Sequence, residues 1–158
     1  GKEGILPEGA TLSTEQKGAG TVEYVKAAAA ITNYLSNTGS FAVFDIDLLS
    51  AANVEINSLN GYVAITMPVP AGLTTGDGRT ITAYRLEDDG TLTRCATTIK
   101  DGMITFETNH FSTYVFVEEA VKAANTGDNA ASAIYVAFML LLAGAVVIRM
   151  GMKKKIQA

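Results

Sequence analysis

A histidine and a serine two residues apart, His110 and Ser112, are the first side chains that suggest chemistry. Such a pair could supply a base and a nucleophile for hydrolysis. The surrounding residues lack the glycine-flanked strand-to-helix turn that exposes a catalytic serine. His110 is also the only histidine in the sequence, and there is no cysteine cluster, so a zinc site is not expected. We therefore predict a structural role for His110, with its imidazole bonded to the backbone at a turn.

Several carboxylates invite a second kind of chemistry. Asp45 and Asp47 lie on the same side of one predicted strand, as paired carboxylates of a glycosidase can, but a solvated strand face explains them more simply. Asp77 and the Asp88–Asp89 pair lie in loops that could bind calcium, yet they lack the ligand spacing of a known calcium loop. Gly72–Gly78 lacks the ending of a phosphate loop. We expect no metal and no cofactor.

Cys95 and Lys100 are the remaining reactive side chains near the predicted strands. A single thiol cannot form an internal disulfide, and we predict that Cys95 packs as a small apolar residue in a strand. Lys–Asn isopeptide bonds occur in some surface β-sandwiches, but Lys100 lies in a turn, so we do not expect one. The sequence therefore predicts a protein that is not an enzyme.

Local patterns predict one helix and several short strands. A strand is expected at Ala10–Glu15, and Thr21 is a good N-cap for a helix that ends near Leu35. From Phe41 onward apolar residues alternate with polar ones, as in Phe44, Ile46 and Leu48. The further predicted strands are residues 63–67, Thr80–Leu86, Thr91–Ile99, Met103–Glu107 and Phe111–Glu118. Alternation fails within Thr91–Ile99, which predicts a bulge or register break there.

Short strands joined by Asp-Gly turns predict a mainly β fold, an antiparallel immunoglobulin-like β-sandwich with one extra N-terminal helix. We expect the helix to be an insertion or a cover on the sandwich. The aromatic residues expected in its core are Tyr62, Tyr84, Phe106, Phe111, Tyr114 and Phe116. The predicted units are a lead-in (1–40), the sandwich (41–118), a linker (119–129), a membrane segment (130–150) and a tail (151–158).

The membrane segment is indicated by Ala130–Ile148, which contains no charged residue. At ~1.5 Å per residue, a helix of this length is close to the thickness of the hydrocarbon core. A buried core helix is the alternative, but apolar residues surround the whole segment. Arg149 and Lys153–Lys155 follow at once, so the positive-inside tendency predicts a single transmembrane helix with a cytoplasmic tail and an extracellular β module.

The residues around this segment resemble a known family. Asn125–Asn129, the apolar run and the basic cluster together resemble the sortase sorting signal of Gram-positive surface proteins, usually Leu-Pro-X-Thr-Gly. Upstream, Met67–Gly72, Tyr84–Thr91 and Phe106–Tyr114 resemble a repeat module that precedes this signal in surface proteins of clostridia and related Firmicutes. The resemblance covers about Phe41 to the C-terminus.

The resemblance implies that a sortase cuts the bond between Thr126 and Gly127 and joins Thr126 to a peptidoglycan precursor. Asp128 agrees with the acidic residue often found after the glycine. Membrane retention during this reaction is assigned to Arg149, Lys153, Lys154 and Lys155. The implied sorting motif is Ala123, Ala124, Asn125, Thr126, Gly127 and Asp128.

Ala123 and Ala124 stand where the family has Leu and Pro, so the pre-bent peptide that proline provides is lost. Either a sortase of different specificity recognises the motif, or the protein remains a single-pass membrane protein. The chain begins Gly1-Lys2-Glu3 without an initiator Met or signal peptide, and we expect it to be part of a longer exported protein.

The expected function is that of a non-catalytic extracellular spacer that presents an N-terminal effector and anchors it to the cell wall. The expected partners are the membrane, a sortase and peptidoglycan. A net charge of −4 gives no basic surface for nucleic acid. The alternative is an adhesin-type binding module for a host glycan or matrix protein.

Overall fold

The computed structural model describes residues 5–121, 137–139 and 148–149. Within them the chain forms one helix and ten strands. The elements are β1 (Thr11–Lys17), α1 (Val22–Tyr34), β2 (Thr38–Leu49), β3 (Ser58–Pro68), β4 (Arg79–Leu86), β5 (Leu92–Arg94), β6 (Thr97–Lys100), β7 (Met103–His110), β8 (Thr113–Ala120), β9 (Ala137–Met139) and β10 (Ile148–Arg149).

The strands form two sheets that enclose an apolar core. The first sheet has the order β10-β1-β2-β8-β4-β5 and the second the order β6-β7-β3-β9, with antiparallel pairing everywhere except between β3 and β9. The predicted mainly β, sandwich-like fold with one helix is confirmed at this level. The largest fully buried side chains between the sheets are Tyr114, Phe106, Phe116, Leu12, Ile46, Leu48, Ile65, Ile81 and Ile104.

The helix covers the outer face of the first sheet. Thr21 caps it by accepting a hydrogen bond at Oγ1 from the backbone N–H of Tyr24 (3.3 Å). A second apolar cluster joins helix and sheet, and its buried members are Ala27, Ala30, Ile31, Val43, Tyr84, Leu86, Val115 and Val117. The sequence leaves open whether the helix is inserted in the sandwich or covers it. In the structure the helix covers the first sheet, so helix, first sheet and second sheet form three layers.

β8 is the central strand of these layers. Tyr114 and Phe116 point into the core between the sheets, whereas Val115 and Val117 lie under the helix. A strand buried on both faces reads as a continuous apolar run rather than an alternating one. This explains the sequence of β8, which is apolar from Tyr114 to Val117.

The predicted break within Thr91–Ile99 is confirmed, because the chain changes sheets there. Its first part is β5 beside β4, and its second part is β6 beside β7. Between them the N–H of Cys95 donates to the carbonyl of Ala83 in the first sheet (2.9 Å). The carbonyl of Ala96 accepts from Glu107 in the second sheet (3.0 Å), so the two residues link the sheets.

Both Asp-Gly turns form hairpins as predicted. The Asp88–Gly90 turn joins β4 to β5, and the turn at Asp101 and Gly102 joins β6 to β7. Asp101 and Gly102 both have positive φ angles (52° and 73°), which is the requirement of a type I′ turn.

Several details differ from the sequence-based expectation. β2 begins at Thr38, inside the predicted lead-in (1–40). β1 extends to Lys17 and pairs with β2 along its whole length, so it is an integral strand of the first sheet. β8 extends to Ala120 and includes two residues expected in the linker, because they pair with β4. Tyr62 was expected in the core but is 52% exposed, since β3 leaves its regular register with β7 between Ser58 and Val63.

The strands β9 and β10 lie within the segment predicted as a membrane helix, residues 130–150. β9 pairs with β3 and β10 with β1, each at an edge that otherwise has no neighbour in its sheet. These five residues are therefore strand where the sequence predicts helix, and the other residues of the segment lie outside the described part of the chain. Across the described residues, no helix has the length and apolar character needed to span a bilayer.

Candidate functional site

The predicted sorting motif, Ala123–Asp128, lies outside the described residues, as do Lys153, Lys154 and Lys155. Arg149 is described as a backbone position in β10, paired with Thr11. The structure therefore does not bring the predicted site residues together. It does describe how the chain leads to the motif, because β8 ends at Ala120, just ahead of it.

The start of β1 and the end of β8 lie at opposite ends of the sandwich. β2 is antiparallel to both β1 and β8, so β1 and β8 run in the same direction. Thr11, at the start of β1, is paired with Leu49, and Glu119, near the end of β8, is paired with Thr38. β2 has 12 residues, and at ~3.3 Å per residue its two ends are about 36 Å apart.

A buried carboxylate holds the exit end together. Glu118 is 6% exposed. Its Oε1 accepts hydrogen bonds from the backbone N–H and the hydroxyl of Thr74 (2.6 and 3.2 Å), and its Oε2 accepts one from the N–H of Ser40 (3.1 Å). Burial by itself raises the pKa of Glu118, but the bonds from Thr74 and Ser40, with Arg79 nearby, outweigh it and lower the pKa.

The same carboxylate explains why residue 39 is a glycine. A Cβ on Gly39 would overlap Oε2 of Glu118 and would lie 2.9 Å from Nη1 of Arg79. β2 therefore passes closely over the Glu118 carboxylate and the Arg79 guanidinium only because Gly39 has no side chain.

A second carboxylate, Asp45, links three strands. Its Oδ2 lies 2.9 Å from Nζ of Lys17 in β1, and its Oδ1 accepts a hydrogen bond from the hydroxyl of Thr113 in β8 (2.6 Å). Lys17 also contacts Glu15 (2.8 Å). Hydrogen bonds to Glu15 and to Asp45 raise the pKa of Lys17, so this amine is held as an ammonium ion.

The sequence predicts that β1 ends at Glu15, so it does not identify Lys17 as a strand residue. The polar residues Glu15, Gln16 and Lys17 carry no apolar alternation that would have extended the strand. Their pairing with β2 is the feature that only the fold reveals.

The remaining carboxylates do not converge on one site. Burial is the main cause that raises the pKa of Asp47, and the negative charges of Asp45 and Glu55 add to it. Asp77 precedes β4 and the Asp88–Asp89 pair follows it, so these two groups lie at opposite ends of that strand. The described residues contain no cluster of three or more histidine, cysteine or acidic side chains able to hold a metal ion.

His110 lies at the corner between β7 and β8, which belong to different sheets. The hydroxyl of Tyr114 donates to the His110 carbonyl, and the Thr108 hydroxyl accepts from the His110 N–H (3.0 Å). The hydrogen bonds of this corner therefore use the backbone of His110, whereas the sequence predicted its imidazole. Ser112 also contributes its backbone, since its carbonyl accepts from Ile46 (3.0 Å).

Cys95 is buried at the crossover between β5 and β6. Burial raises the pKa of its thiol to about 11, so the thiolate is scarce at neutral pH. The predicted packing role is confirmed, although the residue lies between strands rather than in one.

One open pocket, of about 430 Å³, lies beside the exit end. Its aromatic wall is Tyr24 and Phe41, whose ring centroids are 4.8 Å apart at an interplanar angle of 32°. The rest of its lining is Gly39, Ser40, Ala71, Gly72 and Leu73. An aromatic pair in the wall of an open concavity can contact a small ligand.

Comparison with known proteins returned nothing: no protein-family model, no curated protein and no solved structure matches the chain.

Proposed function

We propose that the chain is a non-catalytic extracellular spacer that holds the portion of the protein ahead of it away from the cell and anchors it to the envelope. The observation that carries this proposal is that the start of β1 and the end of β8 are about 36 Å apart along the strands. In the anchored form that we propose, the chain leaves the sandwich at the end of β8. A module with this path adds its full length to a stalk.

The anchoring part of the proposal rests on the sequence after β8. Residues 121–125 separate Ala120 from Thr126, so the proposed cleavage site follows the folded module directly. A sortase would cut between Thr126 and Gly127 and transfer Thr126 to peptidoglycan. The uncharged Ala130–Ile148 and the following basic residues would retain the chain in the membrane until then.

The backbone hydrogen bonds of the predicted membrane segment, residues 130–150, differ between a bilayer and the sheet edges. In hydrocarbon every backbone group must be bonded within the segment, which requires a helix. Against the sandwich, Ala137–Met139 and Ile148–Arg149 instead bond to the edges of β3 and β1. We propose the helical form in the membrane and an extracellular location for the sandwich.

The finer architecture that we propose is immunoglobulin-like. Its support is the Tyr114 hydroxyl, which bonds back to the backbone of His110 across a sheet-to-sheet corner, as in the tyrosine corner of such folds. The strand order departs from the usual constant-type arrangement, because β8 lies between β2 and β4.

The spacer role is tested by an accessibility assay on producing cells. An epitope fused ahead of β1 in the full-length protein is compared with the same fusion lacking residues 5–120, using antibody fragments of increasing size. A spacer predicts that large antibodies bind only when the module is present. Equal binding to both fusions would refute the spacer role.

A binding module is the second candidate, and the pocket beside Tyr24 and Phe41 favours it. The proposed ligand is a host glycan or matrix protein. Saturable binding of the purified protein on a glycan or matrix array, lost in Tyr24→Ala, would support this role. Absence of saturable binding favours the spacer.

A further inference from the structure

β2 connects β1 and β8, the strands by which the chain enters and leaves the sandwich in the spacer function proposed above. β1 pairs with one edge of β2 from Thr11 to Lys17, and β8 pairs with the other edge between Thr38 and Asp45. Because β1 and β8 run in the same direction, a pull on the start of β1 and the end of β8 acts along the strands and in opposite senses.

The direction of such a pull decides how the hydrogen bonds share the load. Bonds of an antiparallel ladder are perpendicular to the strands. A pull along the strands therefore loads all bonds of a ladder together, whereas a pull across them breaks the bonds one after another. The path of this chain corresponds to the first case.

Two carboxylates reinforce these ladders at separate places along β2. Asp45 bonds Lys17 of β1 (2.9 Å) and Thr113 of β8 (2.6 Å), so one carboxylate joins all three strands. Near the exit end, Glu118 of β8 bonds the backbone of Ser40 in β2 (3.1 Å).

Water has little access to the centre of this arrangement. Val43 of β2 and Val115 of β8 are fully buried under the helix, and Ile46 and Tyr114 are fully buried in the core between the sheets. Hydrogen bonds shielded on both faces are not readily replaced by bonds to water when the strands begin to slide.

We propose that this module bears mechanical tension between its two ends, with β2 holding β1 and β8 together and with Asp45 and Glu118 acting as clamps. The inference rests on the proposed spacer function, because a module linked at both ends is the one that is pulled along this axis.

Single-molecule force spectroscopy on the full chain in lipid nanodiscs tests the proposal. One tether is an N-terminal tag and the other is attached through Val121→Cys, at an exposed position. The buried Cys95 does not compete for the handle. A second geometry uses Asp101→Cys with Val121→Cys. The carbonyl of Gly102, next to Asp101, accepts from the N–H of Val69 (2.9 Å), and the N–H of Val121 donates to the carbonyl of Gly78 (2.8 Å). The two handles therefore lie beside the two ends of the loop 69–78, at the exit end.

We expect a severalfold higher unfolding force between the N-terminus and position 121 than between positions 101 and 121. Asp45→Asn and Glu118→Gln should lower the first force. Asp47→Asn is the matched control for Asp45, since it makes the same change two residues further along β2.

Equal forces in the two geometries would overturn the proposal, and that comparison needs neither clamp variant to fold. An Asp45→Asn effect no larger than that of Asp47→Asn would overturn the clamp assignment. Failure of the force experiment is distinguishable from failure of the spacer proposal. The antibody assay measures how far the epitope lies from the cell, and it applies no force to the module.

Discussion

Replacing Gly39 by alanine tests the close approach between β2 and the Glu118 carboxylate. The backbone of Gly39 does not have a positive φ angle, so alanine fits its conformation. The new Cβ would overlap Oε2 of Glu118 and lie 2.9 Å from Nη1 of Arg79. The carboxylate cannot retreat without weakening its bonds to Ser40 and Thr74.

The size of the effect follows from two opposing contributions. Replacing glycine by alanine at a compatible position stabilises a protein by about 0.4–1 kcal/mol through the unfolded chain. Against this, either the carboxylate stays and the site is overpacked, at a cost of about 1–3 kcal/mol, or it moves and loses a bond, at a similar cost of about 1.5–3 kcal/mol. The difference between cost and gain predicts that Gly39→Ala lowers the free energy of unfolding by about 0.5–2.5 kcal/mol.

Denaturant unfolding of the full chain in detergent, followed by circular dichroism because the sequence has no tryptophan, measures this change. Gly18→Ala is the control, since nothing lies within 4 Å of a Cβ at that position. In a Glu118→Ala background the obstructing oxygen is gone, so Gly39→Ala should cost much less there. A Gly39→Ala variant as stable as Gly18→Ala, or full additivity with Glu118→Ala, would refute the reasoning.

Three further outcomes are expected. Tyr114→Phe should lower the free energy of unfolding by about 1–2 kcal/mol, because its hydroxyl bonds Thr108 and the carbonyl of His110, and an unchanged denaturation midpoint would contradict this. The pKa of Glu118 is lowered from about 4.5, so its ionised form stabilises the fold above pH 4.5, and this stabilisation is lost as the pH falls through the lowered pKa. Between about pH 5 and pH 3, the free energy of unfolding should therefore fall less steeply in Glu118→Gln than in the parent. Cys95, buried with a pKa of about 11, should react with a thiol reagent at pH 8 only after denaturation, and rapid native labelling would exclude the described packing.

Local signals predicted much of the fold. The helix cap at Thr21 and the two Asp-Gly hairpins depend on neighbouring residues, so the sequence contains their whole cause. The broken alternation in Thr91–Ile99 likewise reports the change of sheet at Cys95. The cap and the hairpin turns depend on contacts that are short-range in sequence.

Features that depend on distant partners were not predictable in this way. Ser40 and Thr74 lie 78 and 44 positions from Glu118, so no local pattern marks that carboxylate as a buried acceptor. The placement of the helix depends on Val115 and Val117, which are buried on the outer face of the first sheet. The uninterrupted apolar run of β8 is the only local sign that this face is buried. Conversely, the sorting motif is a local pattern, and it lies outside the residues that the structure describes.

The intact mass of the C-terminal peptide, taken from wall and membrane fractions of a producing cell, tests the proposed function most directly. The proposal predicts a peptide that ends at Thr126 and is joined to a peptidoglycan fragment, despite Ala123 and Ala124. A peptide that runs through to Ala158 and occurs only in the membrane fraction would contradict wall attachment and would establish a permanent membrane anchor.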